Sequence, residues 1–362
     1  MTIEERDLEL LIALQENPLA PASKLAKLVN LSTPTIITRL ELLKKDKSYY
    51  NVFANLLPDT LDLEIVDVLI EIDSLENVEY FEKQICYNHP FTLFRIRCFG
   101  NFNGLYVQFR IPKNSLELLL DLLDSLKKKN RIMHYIIPKI QLGAETIYTK
   151  ANLKNWEERL MRWNFDWNTW IQKLTSVSSK RSERTPKKSQ LQKLDELDIA
   201  LLQELTMGAR RKNTEIMDSL ELDRSTIGLQ QRISRKIKYL DEKIISRYMV
   251  FLRWETFEIY NSFLVYCECE DEIVNRLQNL LIKHPIPFES TFKITENGFL
   301  WYLRCPASHF SEVSAIIWKL SKKVKLFFLD YKKSEFYGLW KGAFDPSKHQ
   351  WSTELMKKEK LL

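Results

Sequence analysis

Glycine is scarce in this chain, with eight among 362 residues. Loops that wrap phosphate groups need clustered glycines, because a Cβ keeps backbone away from the ligand, and no such cluster is present. Apolar runs are short as well. None approaches the roughly 18–20 residues needed to cross a bilayer. The opening residues MTIEERDLELL are acidic where a signal peptide is basic, so the expectation is a soluble protein of the cytoplasm. Cysteines are few and odd in number: Cys86, Cys98, Cys267, Cys269 and Cys305. Scattered through apolar segments, they read as reduced, buried small residues. Neither a CxxC pair nor an HExxH pattern points to zinc, and no cofactor is expected.

The net charge of +6 is local. Between Lys173 and Lys193 stand seven basic residues (Lys173, Lys180, Arg181, Arg184, Lys187, Lys188, Lys193) and one acid, Glu183, which is 7 − 1 = +6. The rest of the chain is balanced, so bulk charge says nothing about nucleic acid and the local arrangement must carry that question.

The chain repeats itself. NGLYVQFRIP (Asn103 to Pro112) matches NGFLWYLRCP (Asn297 to Pro306) at an offset of 194, and His89-Pro90 matches His284-Pro285 at 195. Asp7, Leu10, Leu11, Leu14 and Leu31 match Asp198, Leu201, Leu202, Leu205 and Leu222 at 191, and Trp156 and Trp163 stand against Phe344 and Trp351. Matches in one order at a nearly constant offset read as a duplication. Between the copies, the small, polar and basic run SVSSKRSERTPKKSQ has too little apolar surface to fold and reads as a flexible spacer.

Each copy opens with helical periodicity. Leu8, Leu11, Ile12 and Leu14 share a face, and Asn17, Pro18 and Pro21 end that helix. Ser23 is placed to cap a second helix and Ser32 a third, with Pro34 in its first turn, where a missing N–H costs nothing. Ile36, Leu40 and Leu43 form the buried stripe. Three short helices with a tight turn before the third make a helix-turn-helix. The first copy continues with a strand at Glu64–Ile72, a helix at Leu75–Tyr87, strands at Thr92–Phe99 and Leu105–Ile111, a helix at Leu116–Lys129 and a strand at Arg131–Ile137. The second repeats this from Ser262 to Asp330. Asn103-Gly104 and Asn297-Gly298 favour two-residue hairpin turns, and the order βαββαβ gives a ferredoxin-like antiparallel sheet with both helices on one face. Tyr106, Gln108 and Arg110 in the first copy, like Leu300, Tyr302 and Arg304 in the second, point away from the helices. That face is too apolar for solvent and is expected to meet a partner sheet.

DLELLIALQENPLAPASKLAKLVNLSTPTIITRLELL, LDRSTI (Leu222 to Ile227) and the βαββαβ module with a His-Pro before its second strand resemble the Lrp/AsnC family over nearly the whole chain, once per copy. The resemblance implies an α+β fold, two copies of a winged helix-turn-helix followed by a ferredoxin-like, RAM-type domain. Its expected boundaries are 1–55 for the first winged helix-turn-helix, 60–172 for the first RAM-type domain with a Trp-rich tail, 173–193 for the basic linker, 194–250 for the second winged unit and 255–362 for the second RAM-type domain. It also implies an archaeal or bacterial DNA-binding transcription regulator, pairing through the open sheets as an intramolecular pseudo-dimer or a homodimer, with a small-molecule effector. The chain departs from the family in carrying two copies and in its turns GNFN and TENG, where the family has glycine followed by acids. Extra residues, Gly228 among them, separate Thr226 from the Ile237/Leu240 stripe.

A helix of this kind fits the major groove of double-stranded DNA. In the first copy the candidate contacts are Ser32, Thr33, Thr35, Thr38, Arg39, Lys44 and Lys45, with Lys47 beyond them. Arg39 is equally placed for an ion pair with an acid such as Asp7. In the second copy they are Arg224, Ser225, Thr226, Gln230, Gln231, Arg232, Arg235 and Lys238. Gln pairs with adenine and Arg with guanine. Met1–Tyr50 holds seven basic and seven acidic residues, so the second copy is expected to supply more of the salt-sensitive affinity. Two alternatives stand beside this reading: a siroheme-decarboxylase-like enzyme using His89, His284, Arg110 and Arg304, and a scaffold whose sheets bind protein after loss of DNA affinity.

Overall fold

The computed structural model describes residues 3–46 and 49–361. Helices α1 (Glu5–Glu16), α2 (Ala22–Leu28) and α3 (Thr33–Glu41) lead into strand β1 (Tyr50–Leu56). Then follow β2 (Leu63–Glu71), α4 (Leu75–Tyr80), β3 (Thr92–Gly100), β4 (Gly104–Pro112), α5 (Leu116–Lys128), β5 (His134–Ile136), β6 (Ile147–Thr149), β7 (Trp156–Glu157), β8 (Arg162–Trp163) and α6 (Trp167–Gln172). The second half runs through α7 (Glu196–Met207), α8 (Asn213–Ser219), α9 (Leu229–Lys243), β9 (Ile245–Leu252), β10 (Ser262–Glu268), α10 (Asp271–Lys283), β11 (Ser290–Thr295), β12 (Gly298–Arg304), α11 (Phe310–Leu320), β13 (Lys323–Phe336), β14 (Phe344–Asp345) and β15 (Gln350–Trp351).

Local chemistry sets the helix starts. Ser32 Oγ accepts from Thr35 N at 3.2 Å and caps α3, with Pro34 in its first turn. Ser23, by contrast, lies inside α2, whose N-cap position is Pro21 with no side-chain cap. Proline fixes the entry dihedral, so the helix starts one residue before the expected hydroxyl. Ile36, Leu40 and Leu43 are buried in the same core cluster as Leu8, Leu10, Leu11 and Leu14 of α1.

The expected wing does not form. Each third helix is followed by one strand, not a hairpin, and the two strands pair with each other: β1 runs antiparallel to β9, from Tyr50 opposite Leu252 to Asn55 opposite Arg247. The run after each helix is long enough for only one strand before Pro58 or Trp254 opens a 3-10 turn. A lone strand must satisfy its backbone elsewhere, and here the partner is its counterpart.

Within residues 63–136 the strands lie side by side in the order β5-β2-β4-β3, and within 262–336 in the order β13-β10-β12-β11, every pair antiparallel. The two sets join through β13 and β3 into one nine-stranded sheet, with β6 added at its far edge. The sheet closes on itself face to face. Leu69, Ile96, Cys98 and Tyr106 from the first half pack against Leu264, Leu300, Phe327 and Leu329 from the second, as expected for the face turned from the helices. Full burial of each large apolar side chain is worth about 1.5–3 kcal/mol. At the edge of this seam Lys293 Nζ donates to both oxygens of Asp67, at 2.9 and 2.6 Å, and Tyr106 and Gln108 also donate to that carboxylate, at 2.6 and 2.8 Å.

The tails cross over. The β7–β8 hairpin of the first half seats on the second, where Trp163 Nε1 donates to the Phe257 carbonyl at 2.7 Å. The β14–β15 hairpin of the second half seats on the first, with Trp351 Nε1 on the Leu61 carbonyl at 2.7 Å. The aromatics therefore staple the halves together.

Two further expectations change. The Asn-Gly pairs are not turn centres. In the second half Glu296 and Asn297 make the turn and Gly298 opens β12 opposite Thr295; in the first, Gly104 pairs with Cys98 after a longer loop. The glycines serve close approach instead, since a Cβ at Gly104 or Gly298 would lie 1.9 or 2.0 Å from the carbonyl oxygen of Ile70 or Cys267. The basic linker is not a loose spacer. Arg276 Nη1 donates to the Thr175 and Val177 carbonyls, and Asn279 Nδ2 to those of Ser178 and Lys180. Arg184 pairs with Asp59, and Gln190 N donates to the Thr60 carbonyl at 2.8 Å. Composition counts apolar surface only; polar side chains of α10 satisfying the linker backbone lie outside that count.

Candidate nucleic-acid interface

On α3, Ser32 Oγ lies 2.7 Å from Thr35 Oγ1, and Thr38 Oγ1 donates to the Pro34 carbonyl at 3.2 Å. Ser32 and Thr38 are exposed, and Thr33 and Thr35 half-exposed. These are short, neutral groups. Arg39 takes the structural alternative: Nη1 lies 2.7 Å from buried Asp7 and 3.2 Å from Glu4. Hydrogen bonding to Asp7 holds its guanidinium above the ordinary pKa. Lys44 is half-buried; the side chain of Lys45 and all of Lys47 lie outside the described residues.

The second unit has a different start. Residues 223–228 form turns, and α9 begins only at Leu229, after Gly228 at φ +76°. Glycine adopts that left-handed backbone without the penalty a Cβ brings. Ser225 N and Oγ donate to Asp223 Oδ1, at 2.9 and 2.8 Å, closing a local turn where the first half starts a helix. Arg224, Ser225 and Thr226 are therefore exposed ahead of α9 rather than on it, and Arg224 is paired with Asp218.

Beyond the loop the two helices come back into step at an offset of 197. Ile233, Ile237 and Leu240 repeat Ile36, Leu40 and Leu43. Lys236 repeats Arg39, reaching Asp198 at 2.9 Å as Arg39 reaches Asp7. On this register Thr33, Thr35 and Thr38 correspond to Gln230, Arg232 and Arg235, all exposed, as are Gln231 and Lys238. In the sequence the Lys236–Asp198 pairing shows only when the third helices are set at 197, against the 191 that relates the first helices. Arg232 is 3.3 Å from Asp195 with both partners well exposed, a contact that solvent keeps weak.

A family model describing the AsnC-type helix-turn-helix domain matches residues 4–44. The chain carries an AsnC-type helix-turn-helix domain at residues 4–44. Its AsnC-type domain is the unit formed by α1, α2 and α3. Among solved structures, the chain is similar to a siroheme decarboxylase in complex with an iron-uroporphyrin III analogue, at 13% identity, covering 90% of this chain and 91% of that one with a TM-score of 0.48. It is similar to AsnC of E. coli at 17% identity, over 41% of this chain and 99% of that one, TM-score 0.32. It is also similar to a transcriptional regulator in complex with L-Met from Neisseria meningitidis, at 22% identity, over 38% and 88%, TM-score 0.32. No curated protein matches the chain.

The four residues read for an enzyme differ in burial and in partners. His89 is buried, its Nδ1 accepting from Phe91 N at 3.2 Å and its ring edge-on to Phe109 at 4.9 Å. His284 is exposed, Arg110 is buried, and Arg304 pairs with Glu289 at 3.2 Å. Among the described residues no hydrogen bond, ion pair or ring contact joins the first-half pair to the second. Burial lowers the His89 pKa to about 3. The fold thus favours neutral imidazole, whereas the unfolded chain takes up a proton near pH 6.5. Stability from this group is complete above pH 6.5 and is lost as pH falls toward 3, by about 1.4 kcal/mol per unit. His89→Phe should flatten the acid limb of a denaturation series between pH 6 and 4. An unchanged limb would show that His89 titrates normally.

Proposed function

We propose that this chain is a sequence-specific DNA-binding regulator of Lrp/AsnC type, built by tandem duplication of a helix-turn-helix and a ferredoxin-like, RAM-type sheet, so that one polypeptide supplies its own pseudo-dimer. One observation carries the reading: the antiparallel β1–β9 ribbon ties the two third helices together about a local two-fold relation, and both keep an outward polar face. A pair of helices so related suits two successive major-groove entries about 34 Å apart. The α3 face offers Thr33, Thr35 and Thr38, whose methyls suit thymine and whose hydroxyls suit phosphates. The α9 face offers Gln230, Gln231, Arg232, Arg235 and Lys238, suited to adenine, guanine and backbone. Because the faces differ, the preferred site is an imperfect palindrome.

The test is fluorescence anisotropy with the full chain against duplexes selected from a random pool. The expected result is one enriched, quasi-palindromic sequence with half-sites about one helical turn apart, bound with steep salt dependence. A chain that retards no duplex even at low salt is not a DNA-binding regulator.

A further inference from the structure

The two halves differ where the second helix of each sheet module meets its outer strand. Glu71 and Glu268 stand opposite Gly104 and Gly298, and the residue before each pairs with Tyr135 in the first half and Val324 in the second. Val324 therefore holds the place of Tyr135. On the helices, buried Leu119, Leu122 and Leu123 of α5 return as Val313, Ile316 and Ile317 of α11, at an offset of 194. Trp318 therefore holds the place of Asp124. In the first half the Tyr135 ring packs on the core and its hydroxyl donates to Asp124 at 2.8 Å. In the second half both groups are replaced, and a groove of about 330 Å³ lies open between α11 and β13. Ile317, Val324 and Leu326 wall it, and at its rim stands Trp318, 83% exposed.

The strand beside the groove has a free edge. β13 pairs with β3 only from Phe327 onward. Before that, Leu326 is met by Asn101, whose N donates to its carbonyl at 3.3 Å and whose Oδ1 accepts from its N at 2.8 Å. In antiparallel pairing alternate residues turn N–H and C=O to the same side. Val324 thus turns its own outward as Leu326 does, and among the described residues no backbone group meets them. The rim is basic as well: residues 318–325, WKLSKKVK, hold four lysines and no acid. Lys322 and Lys323 reach Glu270 and Glu268 at 3.3 and 3.6 Å, with all four side chains more than half exposed. Solvent keeps such contacts weak.

We propose that this groove docks an extended acidic segment of a partner protein, one aromatic side chain in the space Tyr135 fills in the first half and its backbone added to the edge at Val324. The aromatic follows from the group the second half lacks, and the acids follow from the lysine rim. Strand addition draws affinity from backbone hydrogen bonds and specificity from a side-chain pocket, and edge and pocket lie together here. The site stands independently of the DNA-binding reading.

The test is selection of random peptides displayed on phage against the full chain, followed by anisotropy of the enriched peptides carrying a fluorescein label. The expected winners share one aromatic residue flanked by acids. Val324→Tyr with Trp318→Asp copies the first half and should weaken them by about tenfold or more, as loss of a buried aromatic anchor does, with a thermal melt confirming the fold. Trp318→Ala, at a side chain outside the core, should weaken them too and covers the case in which the double variant melts early. Lys322→Gln with Lys323→Gln should weaken them and flatten their salt dependence. No enrichment, winners without an aromatic residue, or winners that bind all three variants as well as the parent would overturn the proposal. So would self-association of the full chain in sedimentation that Trp318→Ala abolishes, since a second copy would then be the occupant.

Discussion

Lys293→Met is expected to lower the unfolding free energy by about 3–5 kcal/mol, the usual penalty for stranding one member of a buried ion pair. Asp67 is fully buried, and its two oxygens are held by Lys293, Tyr106 and Gln108. Methionine fills the volume of the lysine stem and removes only the charge. The carboxylate then keeps two neutral donors and no counter-ion, which does not offset its lost hydration. The paired variant Lys293→Met with Asp67→Asn removes the stranded charge and should recover more than half of the loss. Urea denaturation followed by tryptophan fluorescence reads both. Because Asp67 belongs to the first half and Lys293 to the second, the result reports directly on their docking. A single variant as stable as the parent would mean that the sheet faces do not meet in solution.

The second large effect concerns α9. Replacing Arg232, Arg235 and Lys238 together by alanine should weaken DNA binding about 10²–10³-fold at 0.15 M salt and flatten the log–log salt slope by about 2.7, at about 0.9 per lost phosphate contact. These side chains are exposed, and alanine favours helix. The anchors of α9, Ile233 and Leu240, are untouched, so the fold should survive. Thr33, Thr35 and Thr38 changed together to valine should cost less than tenfold and leave the slope alone, since no charge is removed. Equal effects from the two helices would remove the asymmetry argued here. An unchanged slope in the α9 variant would place the DNA elsewhere.

What could be read from the sequence was what neighbouring residues decide. Ser32 followed by Thr-Pro marks a helix start within four positions, and the Ile36/Leu40/Leu43 stripe marks its buried face. The alternation in Leu105–Ile111 separates a helix-facing side from a sheet-facing one, and Tyr106 indeed lies in the seam between the halves. What stayed hidden depends on partners far along the chain. Nothing in Tyr50–Leu56 says that its hydrogen bonds go to Leu252 and the residues before it. Nothing in the Ser- and Lys-rich linker foretells Arg276 and Asn279 waiting on α10. The loop 223–228 was visible as an excess of residues around Gly228, yet its effect required the register after it: Lys236, not the Gln230 that an offset of 191 gives, occupies the place of Arg39.

The ribbon also bears on how the chain must be made. Synthesis runs from the N-terminus at about 5–20 residues per second, and the mate of Tyr50–Leu56 emerges about 200 residues after it. For roughly 10–40 s the newborn first half therefore holds out a bare seven-residue strand to any other nascent chain nearby. Ribosomes following one another along one message hold identical nascent chains close together, so early mispairing between sister polypeptides, rather than failure of either core, is the hazard this architecture must outrun.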